Sequence, residues 1–245
     1  MSKFLIGALA LILLGLAIYS PNIVRLYKLA NLYNEKSIAK NFISINKIFE
    51  TSSPIPASEQ PYIFEKKDYD LPESYFFEGE ELKLVDGLDH FHTDGLIILH
   101  NGKMLFEQYW HGNTKDSKHI AFSVSKSYLS ALFGIAVDEG LIDSIDDKVS
   151  KYLNDFDGTG YENVKIKNLL QMSSGIEFNE DYADPGSDIN RFARATARGS
   201  SFRDFAKTLK NGREQGTYNH YVSLDTQVLG MILESVTDMP LREYL

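Results

Sequence analysis

Ala121-Phe122-Ser123-Val124-Ser125-Lys126-Ser127 combines a Ser-x-x-Lys spacing with the start of a predicted helix. Three-residue spacing on a helix places the Ser123 hydroxyl and the Lys126 amine on one face, so the amine can receive the hydroxyl proton as the oxygen attacks a carbonyl. Apolar residues then recur at helical intervals as far as Gly140, which is typical of a left-handed helix C-cap. The stretch therefore predicts a serine nucleophile at the start of an apolar helix.

The same spacing occurs at two other places, Ser37 with Lys40 and Ser44 with Lys47. Neither follows a predicted strand, and both are interpreted as solvated helix faces. For Ser123 an alternative from the residues alone is an ordinary N-cap serine, with Lys126 reaching to solvent. The catalytic interpretation is favoured because the N-terminus of a helix stabilises negative charge on an attacking oxygen.

A β-hairpin is predicted before this helix, because Asn101-Gly102 separates two short apolar runs at residues 96–99 and 104–106. Further helices are expected at residues 166–172, 202–209 and 224–236, the second behind an N-cap at Ser201. Residues 179–198 are interpreted as a loop. The predicted class is mixed α/β, with helices packed on an antiparallel sheet. Two strands alone are marginal and the segment from Pro240 lacks a closing element, so the sheet is expected to be incomplete in this chain.

Composition excludes several function classes. The net charge of -9 and the pI near 5.2 argue against a nucleic-acid partner, since phosphate binding needs clustered Lys and Arg. The absence of cysteine excludes disulfides, a thiolate zinc site and a cysteine nucleophile. His90 and His92 lack an evident third ligand, so no metal and no cofactor is predicted. No Gly-x-Ser-x-Gly elbow supports a Ser-His-Asp triad.

The N-terminus carries an unbroken apolar run over residues 4–19. Residues 1–26 are therefore predicted to be a membrane anchor or signal segment, which makes the membrane a partner and the catalytic domain periplasmic or extracellular. The positive charges that follow the run argue for the opposite orientation. Residues 27–61 are interpreted as a juxtamembrane linker, which ends in a segment with three prolines. Residues 62–245 are predicted to be the N-terminal part of a hydrolase domain.

Several separated segments carry a family resemblance. Together they resemble the β-lactamase and penicillin-binding-protein superfamily of serine hydrolases, in particular class C β-lactamases, over roughly residues 90–245. The segments are Ala121-Phe122-Ser123-Val124-Ser125-Lys126-Ser127, Gly134, Gly140-Leu141, Asp146-Asp147-Lys148-Val149, Ile166-Lys167-Asn168-Leu169-Leu170-Gln171-Met172-Ser173-Ser174-Gly175-Ile176, Gly216-Thr217-Tyr218-Asn219-His220-Tyr221-Val222-Ser223 and Leu229-Gly230. The resemblance implies a β-lactamase/transpeptidase-like fold.

The resemblance also implies roles for individual residues. Ser123 is the expected nucleophile, Lys126 its proton partner and Tyr221 the catalytic tyrosine, with Tyr218 as the rival position. Ser223 and His220 are expected to bind substrate. For His220 this expectation depends on its position next to Tyr221, and the alternative is a packed or exposed histidine without a role in the site. The triplet Tyr221-Val222-Ser223 replaces the Tyr-x-Asn of β-lactamases and resembles the esterase and 6-aminohexanoate-oligomer-hydrolase branch.

The predicted function is a serine hydrolase that forms an acyl-enzyme on a small-molecule or peptide-like ester or amide. The alternatives are a penicillin-binding-like D-Ala-D-Ala peptidase, a sensor that acylates without turnover, and an inactive membrane-tethered scaffold. The family's third motif, a Lys-Thr-Gly or His-x-Gly triplet on a strand, has no counterpart here. Because that strand supplies a second oxyanion-hole donor by resemblance, this chain alone is expected to be inactive or weakly active.

Overall fold

A computed structural model describes Gly15 and residues 23–24, 27–28, 30–48, 54–55 and 57–245. These residues form two compact units. A helical unit is built mainly from residues 121–245, and a sheet unit is built from the described residues of 24–51 and 56–120. Within the described ranges, no helix is long and apolar enough to cross a bilayer. The anchor prediction depends on residues 4–19, which lie outside the described residues apart from Gly15, so it remains a prediction, as do the domain limits.

Where the structure describes whole elements, the sheet unit includes three short helices and five strands. They are α1 (Ile38–Phe42), α2 (Ile45–Ile48), β1 (Glu65–Lys66), β2 (Ser74–Phe77), β3 (Glu80–Lys83), α3 (Leu84–His90), β4 (Gly95–His100) and β5 (Lys103–Tyr109). One sheet has the strand order β1-β5-β4, and β2 pairs with β3 in a separate hairpin. The segment interpreted as a juxtamembrane linker, residues 27–61, therefore includes two short helices, α1 and α2.

The predicted hairpin is confirmed as β4 and β5, which pair antiparallel from Gly95 opposite Tyr109 to His100 opposite Lys103. Asn101 and Gly102 have φ values of 49° and 74°, so both central turn residues are left-handed, as a type I′ turn requires. The register shifts between Ile98 and Leu99, which marks a bulge. The short strand β1 adds a parallel neighbour to β5, which the sequence pattern did not predict.

The hairpin of β2 and β3 was not predicted either. Glu78 and Gly79 form its tight turn, with φ values of 51° and 87°. The two strands were not predicted because both are short and mostly exposed, so they lack the alternation of apolar and polar residues that is typical of a half-buried strand.

The helical unit consists of helices joined by short turns. A 3-10 turn (Phe122–Val124) leads into α4 (Ser125–Asp138), and a second 3-10 turn lies at Asn154–Phe156. The remaining helices are α5 (Val149–Tyr152), α6 (Ile166–Leu170), α7 (Asp188–Ala197), α8 (Phe202–Thr208), α9 (Ser223–Thr237) and α10 (Leu241–Tyr244). With the sheet unit, these helices confirm the predicted mixed α/β class.

The core of the helical unit surrounds α9, which contacts α4, α5, α6, α8 and α10. Leu224, Val228 and Ile232 follow each other at four-residue intervals and are fully buried, so one stripe of α9 faces inward along its length. Phe133 and Ala136 of α4 belong to the same buried cluster. Burial of this apolar surface is the main stabilising contribution to the unit, at roughly 25 cal/mol per Å².

The helices predicted at residues 166–172, 202–209 and 224–236 correspond to α6, α8 and α9. The Ser201 cap is also confirmed, because its hydroxyl accepts from the Asp204 amide. The C-terminal glycine of α4, Gly140, has φ 73° as expected. The interpretation of residues 179–198 as a loop was wrong for its second half, because α7 occupies Asp188–Ala197. There Ser187 caps the helix by accepting from the Asn190 amide.

Gly175 holds two segments of the helical unit in close contact. Its φ is 78°, its carbonyl accepts from the Gly212 amide at 3.0 Å, and a Cβ placed on it would overlap the carbonyl oxygen of Arg213. The glycine is therefore required for both its backbone conformation and the approach of the neighbouring chain.

We expect Gly175→Ala to destabilise the protein far more than Gly158→Ala, as measured by urea unfolding. Gly158 has a similar φ of 76° but open space around its Cβ position. Its substitution therefore costs only the strain of an alanine in the left-handed conformation, about 1 kcal/mol of stability. Overpacking against Arg213 should add about 1–3 kcal/mol or more. Equal losses in the two variants would show that the approach of the segments does not require glycine.

Candidate active site

Ser123 is the central residue of the 3-10 turn immediately before α4. The α-helix therefore begins two residues after the serine, at Ser125, and not at the serine as predicted. Phe122 has a φ of 42°, which is uncommon for a bulky non-glycine residue and marks local backbone strain. The Ser125 hydroxyl donates to the Phe122 carbonyl at 2.6 Å and stabilises the turn. This turn leaves Ser123 exposed rather than packed within the helix.

Two side chains donate hydrogen bonds to the Ser123 Oγ. Lys126 Nζ lies 3.0 Å away, on the next turn of the chain, and the Tyr221 hydroxyl lies 2.8 Å away from a distant segment. Lys126 Nζ also sits 5.2 Å from the centre of the Tyr221 ring, within the range of a cation–π contact. The three residues predicted to be catalytic are thus in mutual contact, and all belong to the helical unit.

Tyr218, the rival tyrosine, is placed elsewhere. Its ring lies beneath the guanidinium of Arg213, 4.8 Å from the ring centre, and tilted toward His220. The register that assigns Tyr221 to the site therefore agrees with the geometry.

The backbone before Tyr221 is held by hydrogen bonds to the segment that follows α6. The Gly216 amide donates to the Ser173 carbonyl at 2.8 Å, and the His220 amide donates to the Met172 carbonyl at 2.7 Å. Asn219 Nδ2 adds a bond to the Gln171 carbonyl at 3.0 Å. These contacts hold the segment at residues 216–223 against the segment at residues 166–176.

The two residues predicted to bind substrate have partners within the protein. His220 Nε2 donates to the Phe178 carbonyl at 2.8 Å, which requires the proton to reside on that nitrogen. The Ser223 hydroxyl donates to Glu180 Oε1 at 2.6 Å. Their roles in substrate binding remain predictions.

The two other Ser-x-x-Lys spacings lie in the sheet unit, where each serine directly precedes a short helix and each lysine lies on that helix. The Ser37 hydroxyl is in contact with Asn34 and Asn41, and the Lys47 carbonyl accepts from Lys28. Across the described residues, no group of three or more His, Asp or Glu side chains could hold a metal ion.

Sequence analysis did not single out a buried carboxyl group at the start of α9. Asp225, in the first turn of α9, is fully buried, and the Tyr161 hydroxyl donates to its Oδ1 at 3.0 Å. Burial raises the pKa of Asp225 to about 7, and hydrogen bonds from Ser174 and Tyr161 oppose the rise. Burial also raises the pKa of Tyr161. The signal was an acidic residue on the apolar stripe of α9, next to Leu224 and in line with Val228.

Asp225 should make stability depend on pH. Its folded pKa lies above the unfolded value near 3.9, so the folded state holds a proton that the unfolded state releases, and stability falls as pH rises from about 4 to about 7. Asp225→Asn keeps the shape and a polar partner for Tyr161 without the titration. Urea unfolding at pH 5 and pH 8 should show the wild type losing up to about 2.5 kcal/mol more than the variant between these two pH values. Parallel profiles would contradict a buried titrating carboxyl.

The family model described as Beta-lactamase matches residues 83–245, and the chain belongs to this family. The chain is 33% identical over 169 residues to the 6-aminohexanoate-dimer hydrolase of Paenarthrobacter ureafaciens, a match that covers 66% of this chain and 43% of that protein. It is 22% identical over 228 residues to a provisionally named D-alanyl-D-alanine carboxypeptidase of Escherichia coli, covering 81% of this chain and 50% of that protein.

A solved structure from Bacillus anthracis, provisionally named a 6-aminohexanoate-dimer hydrolase, shares the fold with a TM-score of 0.77 at 19% identity. It covers 86% of this chain and 58% of that one. The β-lactamase/transpeptidase-like fold predicted from the sequence is thereby confirmed. The chain spans about half the length of the relatives that it matches.

Proposed function

We propose that the protein is a serine hydrolase that forms an acyl-enzyme on Ser123. The observation that carries the proposal is the pair of hydrogen bonds that Lys126 and Tyr221 donate to one serine oxygen, at 3.0 and 2.8 Å. A serine hydroxyl is a weak nucleophile unless neighbouring groups accept its proton and stabilise the oxygen, and these two side chains are positioned for both tasks.

In the proposed reaction, Ser123 Oγ bonds to the carbonyl carbon of the substrate while its proton passes to the Lys126–Tyr221 pair. To accept it, the pair must hold one proton fewer than an ammonium and a neutral phenol together, with either the neutral amine or the phenolate as the base. The carbonyl oxygen takes up the negative charge, which the Ser123 backbone amide stabilises. The bond to the leaving group then breaks as the pair returns the proton to the departing alcohol or amine. Water attacks the acyl-enzyme in the second half of the cycle, so that the acid is released and Ser123 regains its proton.

The proposed substrate is a small linear amide or ester. The relative from Paenarthrobacter ureafaciens is named for hydrolysis of 6-aminohexanoate dimer, and it is the match with the higher identity of the two relatives described. The Tyr221-Val222-Ser223 triplet favours the same branch by resemblance. The name of the Escherichia coli relative supports a carboxypeptidase as the second candidate. The products released from a dipeptide substrate would distinguish the two candidates.

An activated p-nitrophenyl ester tests the mechanism in a chain extended to the length of the relatives, which includes the strand of the third motif. In this assay p-nitrophenol release measures acylation and mass spectrometry locates the acyl group. We expect Ser123→Ala to abolish acylation. We expect Lys126→Met and Tyr221→Phe each to lower its rate by about 10²–10⁴, the usual contribution of a proton-transfer group.

Matched controls test the specificity of these losses. Ser127→Ala removes an exposed hydroxyl from the same helix, and Tyr218→Phe removes the phenol of the rival tyrosine. Both should acylate at close to the wild-type rate. An acyl group that remains in the Ser123→Ala variant, or a Tyr218→Phe loss equal to that of Tyr221→Phe, would disprove the assignment.

A further inference from the structure

The first turn of α9 lies directly after Tyr221 and lacks a capping side chain of its own. Val222 occupies the N-cap position and offers no side-chain acceptor, so the backbone amides that begin the helix must find partners elsewhere. The start of α9 is important because the tyrosine next to it must reach Ser123.

Glu180 supplies the missing acceptor from outside the helix. Its Oε2 accepts from the Ser223 amide at 3.2 Å, and its Oε1 accepts from the Ser223 hydroxyl at 2.6 Å. The Tyr182 hydroxyl donates to the same Oε1 at 3.0 Å. A carboxylate at the N-terminus of a 15-residue helix is also favoured by the helix dipole.

The segment that carries Glu180 is itself anchored. Phe178 is buried and its carbonyl accepts from His220 Nε2 at 2.8 Å. The Asn179 amide donates to Asp188 Oδ2 at 2.9 Å, which ties the segment to the first turn of α7. Glu180 is therefore presented to α9 from a chain that is fixed on its N-terminal side.

Tyr221 lies between two residues that contact this segment. His220 precedes it and bonds to Phe178, whereas Ser223 follows two positions later and bonds to Glu180. The Tyr221 side chain is 40% exposed, so packing alone does not fix its direction. Its backbone must instead be held on both sides for the hydroxyl to reach Ser123 Oγ at 2.8 Å.

We infer that Glu180 is a positioning residue for Tyr221, acting through Ser223 and the first turn of α9. This inference rests on the proposed function, in which Tyr221 helps to move the Ser123 proton. It gives Ser223 and His220 a shared structural task, namely to hold the tyrosine between them. It also assigns a role to a carboxylate that the sequence pattern did not single out.

Kinetics of acylation by the p-nitrophenyl ester test the inference through Glu180→Gln and Ser223→Ala. Because bonds to charged groups are the stronger ones, each variant should lower the maximal acylation rate about tenfold, with half-saturation unchanged. The double variant should lose little more of the rate than either single variant, since both substitutions weaken the same contact between Glu180 and Ser223. Ser223→Thr keeps a hydroxyl and should restore most of the rate.

Glu177→Gln is the matched control, because it makes the same charge change on an exposed side chain three residues earlier. It should acylate as the wild type does. Urea midpoints of all variants separate loss of position from loss of folded protein.

A second readout needs no turnover. With 3-fluorotyrosine at position 221, the ¹⁹F resonance should shift in Glu180→Gln and Ser223→Ala and stay in place in Glu177→Gln. If the wild type is not acylated at Ser123, the proposed function fails, and the ¹⁹F comparison still decides whether Glu180 positions the tyrosine. An unmoved ¹⁹F resonance in both Glu180→Gln and Ser223→Ala would overturn the inference, whatever their rates.

Discussion

The site depends on the hydrogen bond between Tyr221 and Ser123, which joins residues 98 positions apart in sequence. Lys126 would lie near Ser123 in any helix that began there, because the spacing is local. No local spacing places Tyr221 near Ser123. It reaches the serine only if α4 and α9 pack in one register, and their buried residues, among them Phe133 and Ile232, provide that register. The hydrophobic core thus positions the candidate nucleophile and its second donor.

The contacts around Tyr221 have a common logic. Segments that follow α6 approach the chain before α9 at Met172, Ser173 and Phe178, so the tyrosine is held by backbone bonds rather than by burial of its ring. An exposed phenol held in this way can meet a substrate while keeping a defined direction, which agrees with the value of preorganised groups in catalysis. Gly175 allows the same segments to approach closely.

The sequence was informative wherever short-range chemistry sets the conformation. Asn101-Gly102 specified its turn, Gly140 its helix end and Ser201 its cap, since each depends on a few adjacent residues. The contacts of Glu180 with Ser223 and of Asp225 with Tyr161 link residues 43 and 64 positions apart. Local sequence patterns do not predict partners at such separations. The helix α7 was missed within the segment interpreted as a loop, and its Ser187 cap became evident only in the structure. The family resemblance supplied the tyrosine register that spacing alone did not.

A crystal structure of the protein after reaction with an arylboronic acid would test the central claim most directly, because boron forms a tetrahedral adduct with an activated serine. The account predicts a covalent bond from Ser123 Oγ to boron, with Lys126 Nζ and the Tyr221 hydroxyl both within about 2.6–3.2 Å of that oxygen. An adduct on another residue, or a Tyr221 hydroxyl out of hydrogen-bonding reach of Ser123 Oγ, would contradict it.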